Sequence, residues 1–123
     1  MRKQYYFRPS NRGLLSWDVD RLVQLSSKLS RKHVQLAQLR ELDEAWVGED
    51  EQPTWRSMIE HINLIQEADL SFPIILSANG DVMDGMHRVA KAALQGCHEI
   101  EAVQFAEDPE PDHVGVEPTE LPY

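Results

Sequence analysis

The run Asp84-Gly85-Met86-His87-Arg88, with Lys91 one turn further on, concentrates the residues of this chain that can hold an anion. The N-terminus of a helix presents unpaired backbone N–H groups and the positive end of an aligned peptide dipole. Cations placed beside it make a site for phosphate or carboxylate. Between Glu41 and Tyr123 there are nineteen carboxylates and three Lys or Arg residues, namely Arg56, Arg88 and Lys91. Two of those three fall within the first two turns of one helix. Gly85 serves a close approach of ligand to backbone or a turn with positive φ, and equally a plain strand-to-helix turn. Asp84 suits a helix cap, a partner for Arg88, or a contact to Mg²⁺ through a phosphate. Arg88 offers a planar fork that meets a phosphate bidentately, with a surface ion pair to Glu60 or Glu67 as its plainer role. His87 can donate to a phosphate or carry a proton near neutral pH.

The elements that must position these residues are legible from turn chemistry and periodicity. Phe72–Ser77 reads as a short apolar strand, Ala78-Asn79-Gly80-Asp81 as a hairpin turn, and Val82-Met83 as the returning strand. A helix over Met86–Gln95 follows, stopped by Gly96. At a hundred degrees per residue, Met86, Val89, Ala90, Ala93 and Leu94 form its core face, and His87, Arg88 and Lys91 share the opposite, exposed arc. Glu99–Phe105 reads as a last strand with Ile100 and Val103 turned inward. Upstream, Thr54 caps a helix over Trp55–Ala68 whose stripe of Trp55, Met58, Ile59, Ile62, Ile65 and Ala68 is expected in the core. Residues 43–53 read as an acidic loop, and about 33–39 as a strand. Ser16 is the expected cap of a helix over Trp17–Leu29. Residues 1–15 carry turn-formers without a period and read as a loosely ordered basic arm, ahead of a domain over 16–105. Residues 106–123, with six acids and four prolines, read as a tail without a core of its own.

Composition bounds the function. A chain of 123 residues is one domain, and its apolar share supports an ordinary core. No apolar run spans a bilayer, and MRKQYYFRPS lacks the apolar stretch of a secretory signal, so a cytoplasmic setting is expected with no membrane partner. Cys97 alone excludes an internal disulfide or a cysteine metal cluster, and is expected as a small packed residue near a helix end. The net charge of −9 divides into a basic first forty residues and an acidic remainder. The basic third could meet nucleic acid, but it could also lie against the protein's own acidic body, the reading preferred here. The total charge disfavours extended DNA binding and leaves a compact local anion site untouched. The other histidines show no metal-ligand spacing. There is no P-loop, G-x-G-x-x-G or G-x-S-x-G.

The stretch PIILSANGDVMDGMHRVAKAALQGCHEIEAVQF resembles the centre of the ParB/sulfiredoxin superfamily, in which a strand hairpin leads into G-x-R-R or G-x-H-R at a helix start. The resemblance covers roughly residues 33–105 and implies an α/β (α+β) fold, a small mixed β-sheet with packed helices. It further implies that Gly85, His87 and Arg88 grip nucleotide phosphates, with Asp84, Met86 and Lys91 around them. The nucleotide would be ATP, ADP or CTP, with Mg²⁺ held through Asp84 and the phosphates rather than in a protein cage. Members that phosphorylate free serine carry a similar D-G-x-H-R. By that likeness Glu41 or Glu44 is the candidate general base, with His87 as a further catalytic candidate, for phosphoryl transfer to a small hydroxyl acceptor. The solvated acidic loop is their plainer reading. Two departures narrow the implication. Met86 stands where sulfiredoxins have cysteine, and a thioether is no thiolate nucleophile. After Phe105 no helix-turn-helix follows. A non-catalytic nucleotide-sensing or protein-interaction module, and a DNA-associated protein using the basic first forty residues, stay open as alternatives.

Overall fold

Alternation along short apolar strands sets the architecture. The computed structural model describes residues 3–47 and 52–123. It places β1 (Tyr5–Arg8), β2 (Leu15–Asp18), α1 (Val19–Ser26), β3 (Lys32–Gln35), α2 (Trp55–Glu67), β4 (Ile74–Leu76), β5 (Val82–Asp84), α3 (Met86–Leu94), β6 (Glu99–Gln104) and β7 (His113–Val114) along the chain. Four strands form a mixed sheet in the order β3-β6-β4-β5, with β4 and β6 parallel and the outer pairs antiparallel. Successive strand residues point to opposite faces. Ile74, Leu76, Ile100 and Ala102 therefore join one apolar cluster with Val89 and Ala92 of α3. Ile75, Val103 and Phe105 join a second cluster on the other face, with Trp17 of β2 and Leu22 of α1. There a three-stranded antiparallel sheet, β1-β2-β7, lies alongside. The expected small α+β fold with a mixed sheet is present.

Both ends of the chain differ from expectation. Residues 5–8 are strand β1, pairing with β2 from Tyr5↔Asp18 to Arg8↔Leu15; the first two residues of the expected arm lie outside the described ones. Residues 106–123 are built into the molecule. The Trp17 Nε1–H donates to the Pro109 carbonyl at 2.8 Å, the Asp18 N–H donates to Asp112 at 2.8 Å, β7 pairs with β2, and Leu121 is buried. Basic side chains of the first forty residues meet acids of the same chain. Lys3 pairs with Asp18, Arg8 with Asp108, Arg21 with Asp112, Arg31 with Glu101 and Arg40 with Asp81. A strand and a tail that look unstructured separately thus complete each other.

Three helical readings also shift. Residues 15–18 are strand, because Trp17 is needed in the second cluster, so α1 starts later and is capped by Asp18. The strand near 33–39 ends at Gln35 and gives way to 3₁₀ turns over 36–38 and 40–43. Of the loop expected at 43–53, residues 48–51 lie outside the described ones. α2 starts at the expected Trp55, ends one residue early at Glu67 and carries a Thr54–Ser57 capping box, yet none of its residues is buried. Its body contact is with α3, along the half-buried edge of Ser57, His61 and Ile65; Trp55 is 82% exposed. Trp55, Met58, Ile59 and Ile62 of the stripe are surface, and its Ile65 and Ala68 are half-buried rather than core. α3 in turn is rotated so that Val89 and Ala92 face the sheet, while Leu94 is exposed. Cys97 is exposed rather than packed. Among the described residues, no helix is long and apolar enough to cross a membrane.

Candidate functional site

The hairpin and α3 meet at Gly85, which occupies the N-cap position with φ 112° and ψ 19°. A Cβ there would lie 2.7 Å from Ile74 Cγ2 and 3.0 Å from Arg88 Nη2, so both conformation and space demand glycine. The Gly85 carbonyl accepts the Val89 N–H at 3.0 Å and opens the helix. No side chain caps it, in contrast to the Asp18 cap of α1 and the Thr54 cap of α2. The first-turn N–H groups of α3 accordingly lack intrahelical partners. A left-handed residue followed by right-handed ones also turns consecutive N–H groups toward one concavity.

Asp84 and Arg88 form an ion pair, Nη2 to Oδ2 at 2.8 Å, with both side chains about four-fifths buried. The i,i+4 spacing brings the carboxylate ending β5 onto the first turn of α3. It replaces the surface pairs with Glu60 or Glu67. Arg88 Nε is buried without a partner. Lys91 is not on an open arc. Its ammonium donates to the carbonyls of Gln66 at 2.8 Å and Ala68 at 2.7 Å, and so closes the C-terminal end of α2, where a cation opposes the helix dipole.

His87 lies against α2. Its ring meets His61 edge-on at 5.0 Å between centroids, and Trp46 stacks on His61 at 4.6 Å. Burial, and then the neighbouring His61, push the His87 imidazole below its usual pKa, against the pull of Asp84. It is therefore a neutral ring near pH 7. Met86 packs partly buried against the first apolar cluster.

These residues border an open groove of about 1440 Å³. Val82–Arg88 form one side, Tyr5, Tyr6 and Phe7 of β1 another, and Trp46 with Glu67–Asp69 at the end of α2 a third. Glu41 and Glu44 do not line it. Glu41 Oε2 accepts the Val82 N–H at 2.6 Å and tethers the 40–43 turn to β5, while its Oε1 is buried without a partner. Glu44 sits 3.5 Å from Arg40 and is mostly exposed. The structure thus brings Asp84, Gly85, Met86, His87 and Arg88 together, uses Lys91 as a tie between helices, and sets both glutamates apart. No protein-family model, curated protein or solved structure matches the chain.

Sequence reasoning passed over Asp69, His61, Trp46 and the β1 aromatics. Asp69 lines the groove, and its carboxyl is held below the usual range first by the Ser71 hydroxyl and amide, with Lys91 and Arg88 contributing from further away. The Tyr5-Tyr6-Phe7 run was the available signal, being rich in strand formers. Nothing in the spacing of Trp46 and His61 foretells their stacking. Among the described residues, no group of three or more His, Cys, Asp or Glu could hold a metal ion.

Proposed function

We propose that the groove binds a nucleotide of the ATP, ADP or CTP type, its phosphates resting on the uncapped start of α3. The observation that carries this reading is the glycine-opened helix end with no side-chain cap, flanked by Arg88 and His87. Arg88 supplies the charge, Gly85 the close approach, and neutral His87 a donor that can take up a proton as the phosphate arrives. Mg²⁺ would reach the site through the phosphates and Asp84. Tyr5, Tyr6, Phe7 and Trp46 line the groove and would supply aromatic contacts for a base. The likeness of Asp84–Arg88 to the ParB/sulfiredoxin motif supports the same ligand.

The placement of Glu41 favours a binding or sensing module over a phosphotransferase, because its carboxylate holds the Val82 backbone and is outside the groove. If phosphoryl transfer to a hydroxyl acceptor does occur, Asp69 is the better-placed base. Calorimetric titration with ATP, ADP and CTP in the presence of Mg²⁺ tests the proposal. Arg88→Ala is expected to weaken binding at least tenfold, about the worth of one charge-assisted hydrogen bond. Absence of binding by all three nucleotides would overturn it. Formation of the phosphorylated serine-like acceptor together with the shortened nucleotide, lost in Asp69→Asn, would displace the sensing reading.

A further inference from the structure

The Asp84–Arg88 pair also lines a second, smaller cavity of about 240 Å³. Its walls include Val23 and Leu29 from the α1 end, Phe72 ahead of β4, and Val103 of β6, and its polar end is Asp84 and Arg88. An apolar cavity of about 150 Å³ suffices for benzene, so this one has room for a ring with a small head group. Arg31, the other cation on the wall, is half exposed, and its Nη1 donates to the Ser71 carbonyl at 2.9 Å and to Glu101 at 3.0 Å, which balances its charge.

The head group is selected by what the ion pair leaves free. Only the Nη2–Oδ2 edge is used. Among the described residues, Arg88 Nη1 and Asp84 Oδ1 make no hydrogen bond, and neither is among the atoms shut away from solvent. The pair is neutral overall and presents the N–H donors of Nη1 beside the Oδ1 acceptor. A carboxylate entering here would meet the Asp84 charge and add a net negative charge against mostly apolar walls. An amine alone would leave Arg88 unanswered. A carboxamide satisfies both, its carbonyl accepting from Nη1 and its N–H donating to Oδ1, with no change in net charge.

We propose that this cavity is a binding site for a compact apolar molecule bearing a neutral donor–acceptor head group, of the carboxamide or lactam class. It shares Asp84 and Arg88 with the groove of the nucleotide reading but differs from it in its apolar walls, so a rim variant such as Val23→Trp separates the two. The test uses three probes built on one ring, benzamide, benzoate and toluene, titrated by NMR while the methyl signals of Leu29 and Val103 are followed. Benzamide is expected to bind about tenfold more tightly than benzoate or toluene, the worth of a satisfied donor–acceptor pair. Val23→Trp, at a half-exposed position on the rim, should abolish benzamide binding while leaving the unfolding midpoint and the nucleotide titration unchanged. Asp84→Asn removes the repelling charge and should invert the order so that benzoate exceeds benzamide. An apolar pocket without a polar reader would show no inversion. No benzamide binding, equal binding of toluene, or binding that survives Val23→Trp would overturn the proposal.

Discussion

At Gly85 the backbone sits at φ 112°, and any added carbon collides with Ile74 on one side and Arg88 on the other. Gly85→Ala should cost about 1–3 kcal/mol for the left-handed backbone alone, and more for the displaced Ile74. Denaturant midpoints will show it, and nucleotide binding should fall with it because Arg88 must move. His87 gives a second prediction, with a defined sign. Its folded-state pKa is depressed by burial and His61, so below about pH 6.5 the unfolded chain binds a proton that the folded chain resists. Stability on this account is fully present above pH 6.5 and declines as the pH falls below it. His87→Gln should flatten that part of a midpoint-against-pH curve between pH 7 and 5. An unchanged slope would show that the ring titrates freely. Phosphate in the groove acts the other way, favouring the charged ring, so nucleotide binding should take up a proton in the wild type and not in His87→Gln. Calorimetry in buffers of different ionisation enthalpy measures that uptake.

Among the elements, the hairpin and α3 were legible because local chemistry determines them. Asn79-Gly80 makes the turn, Gly85 opens the helix and Gly96 ends it. The α2 stripe was misread because amphipathic spacing states that a helix has an apolar face, without saying that anything covers it. Trp55, Met58, Ile59 and Ile62 sit on an arc beside the edge that contacts α3. Trp55→Ser or Ile59→Ser should consequently change stability by no more than about 0.5 kcal/mol, as at ordinary surface positions. Ile74→Ala, at a residue with no exposure, should cost about 2–5 kcal/mol. Equal losses at both kinds of site by urea unfolding would contradict the exposed placement of α2. The rotation of α3 was hidden for a related reason. Its small residues Ala90, Ala92 and Ala93 fit several faces, and the choice among them is made by Ile74 and Ala102 across the sheet. That rotation partly buries Arg88 and lets it reach Asp84.

Across the whole molecule, the parts least readable from local pattern are those that depend on partners about a hundred residues away. β1 has strand-forming aromatics but no hydrophobic period of its own, and 106–123 has acids and prolines. Together they enclose Arg8, whose guanidinium lies 4.9 Å from the Trp17 ring centre and 5.6 Å from that of Tyr6, with Asp108 at 2.8 Å. Asp108 also accepts the Ala78 N–H of the β4–β5 turn, so the chain's last segment touches the hairpin that leads to the site. Deleting 106–123 would therefore do what no ordinary tail deletion does. It strips β2 of its β7 partner, leaves Arg8 without its carboxylate beside two aromatic rings, and uncovers Trp17. The truncated chain should show red-shifted Trp fluorescence and a lower midpoint, with amide protection lost first across Tyr5–Asp18. Unchanged protection there would mean the first sheet stands without its tail. Asp108 adds a pH signature. Burial alone would raise its carboxyl, but the Ala78 amide and Arg8 outweigh that and hold it below the usual range. Its contribution is then present above about pH 3.8 and lost as the pH falls through the lowered value, well clear of the His87 window. Asp108→Asn should remove that acid step while sparing the one near neutrality. Because β1 also walls the groove, the same variant should weaken nucleotide binding without touching any residue at the start of α3.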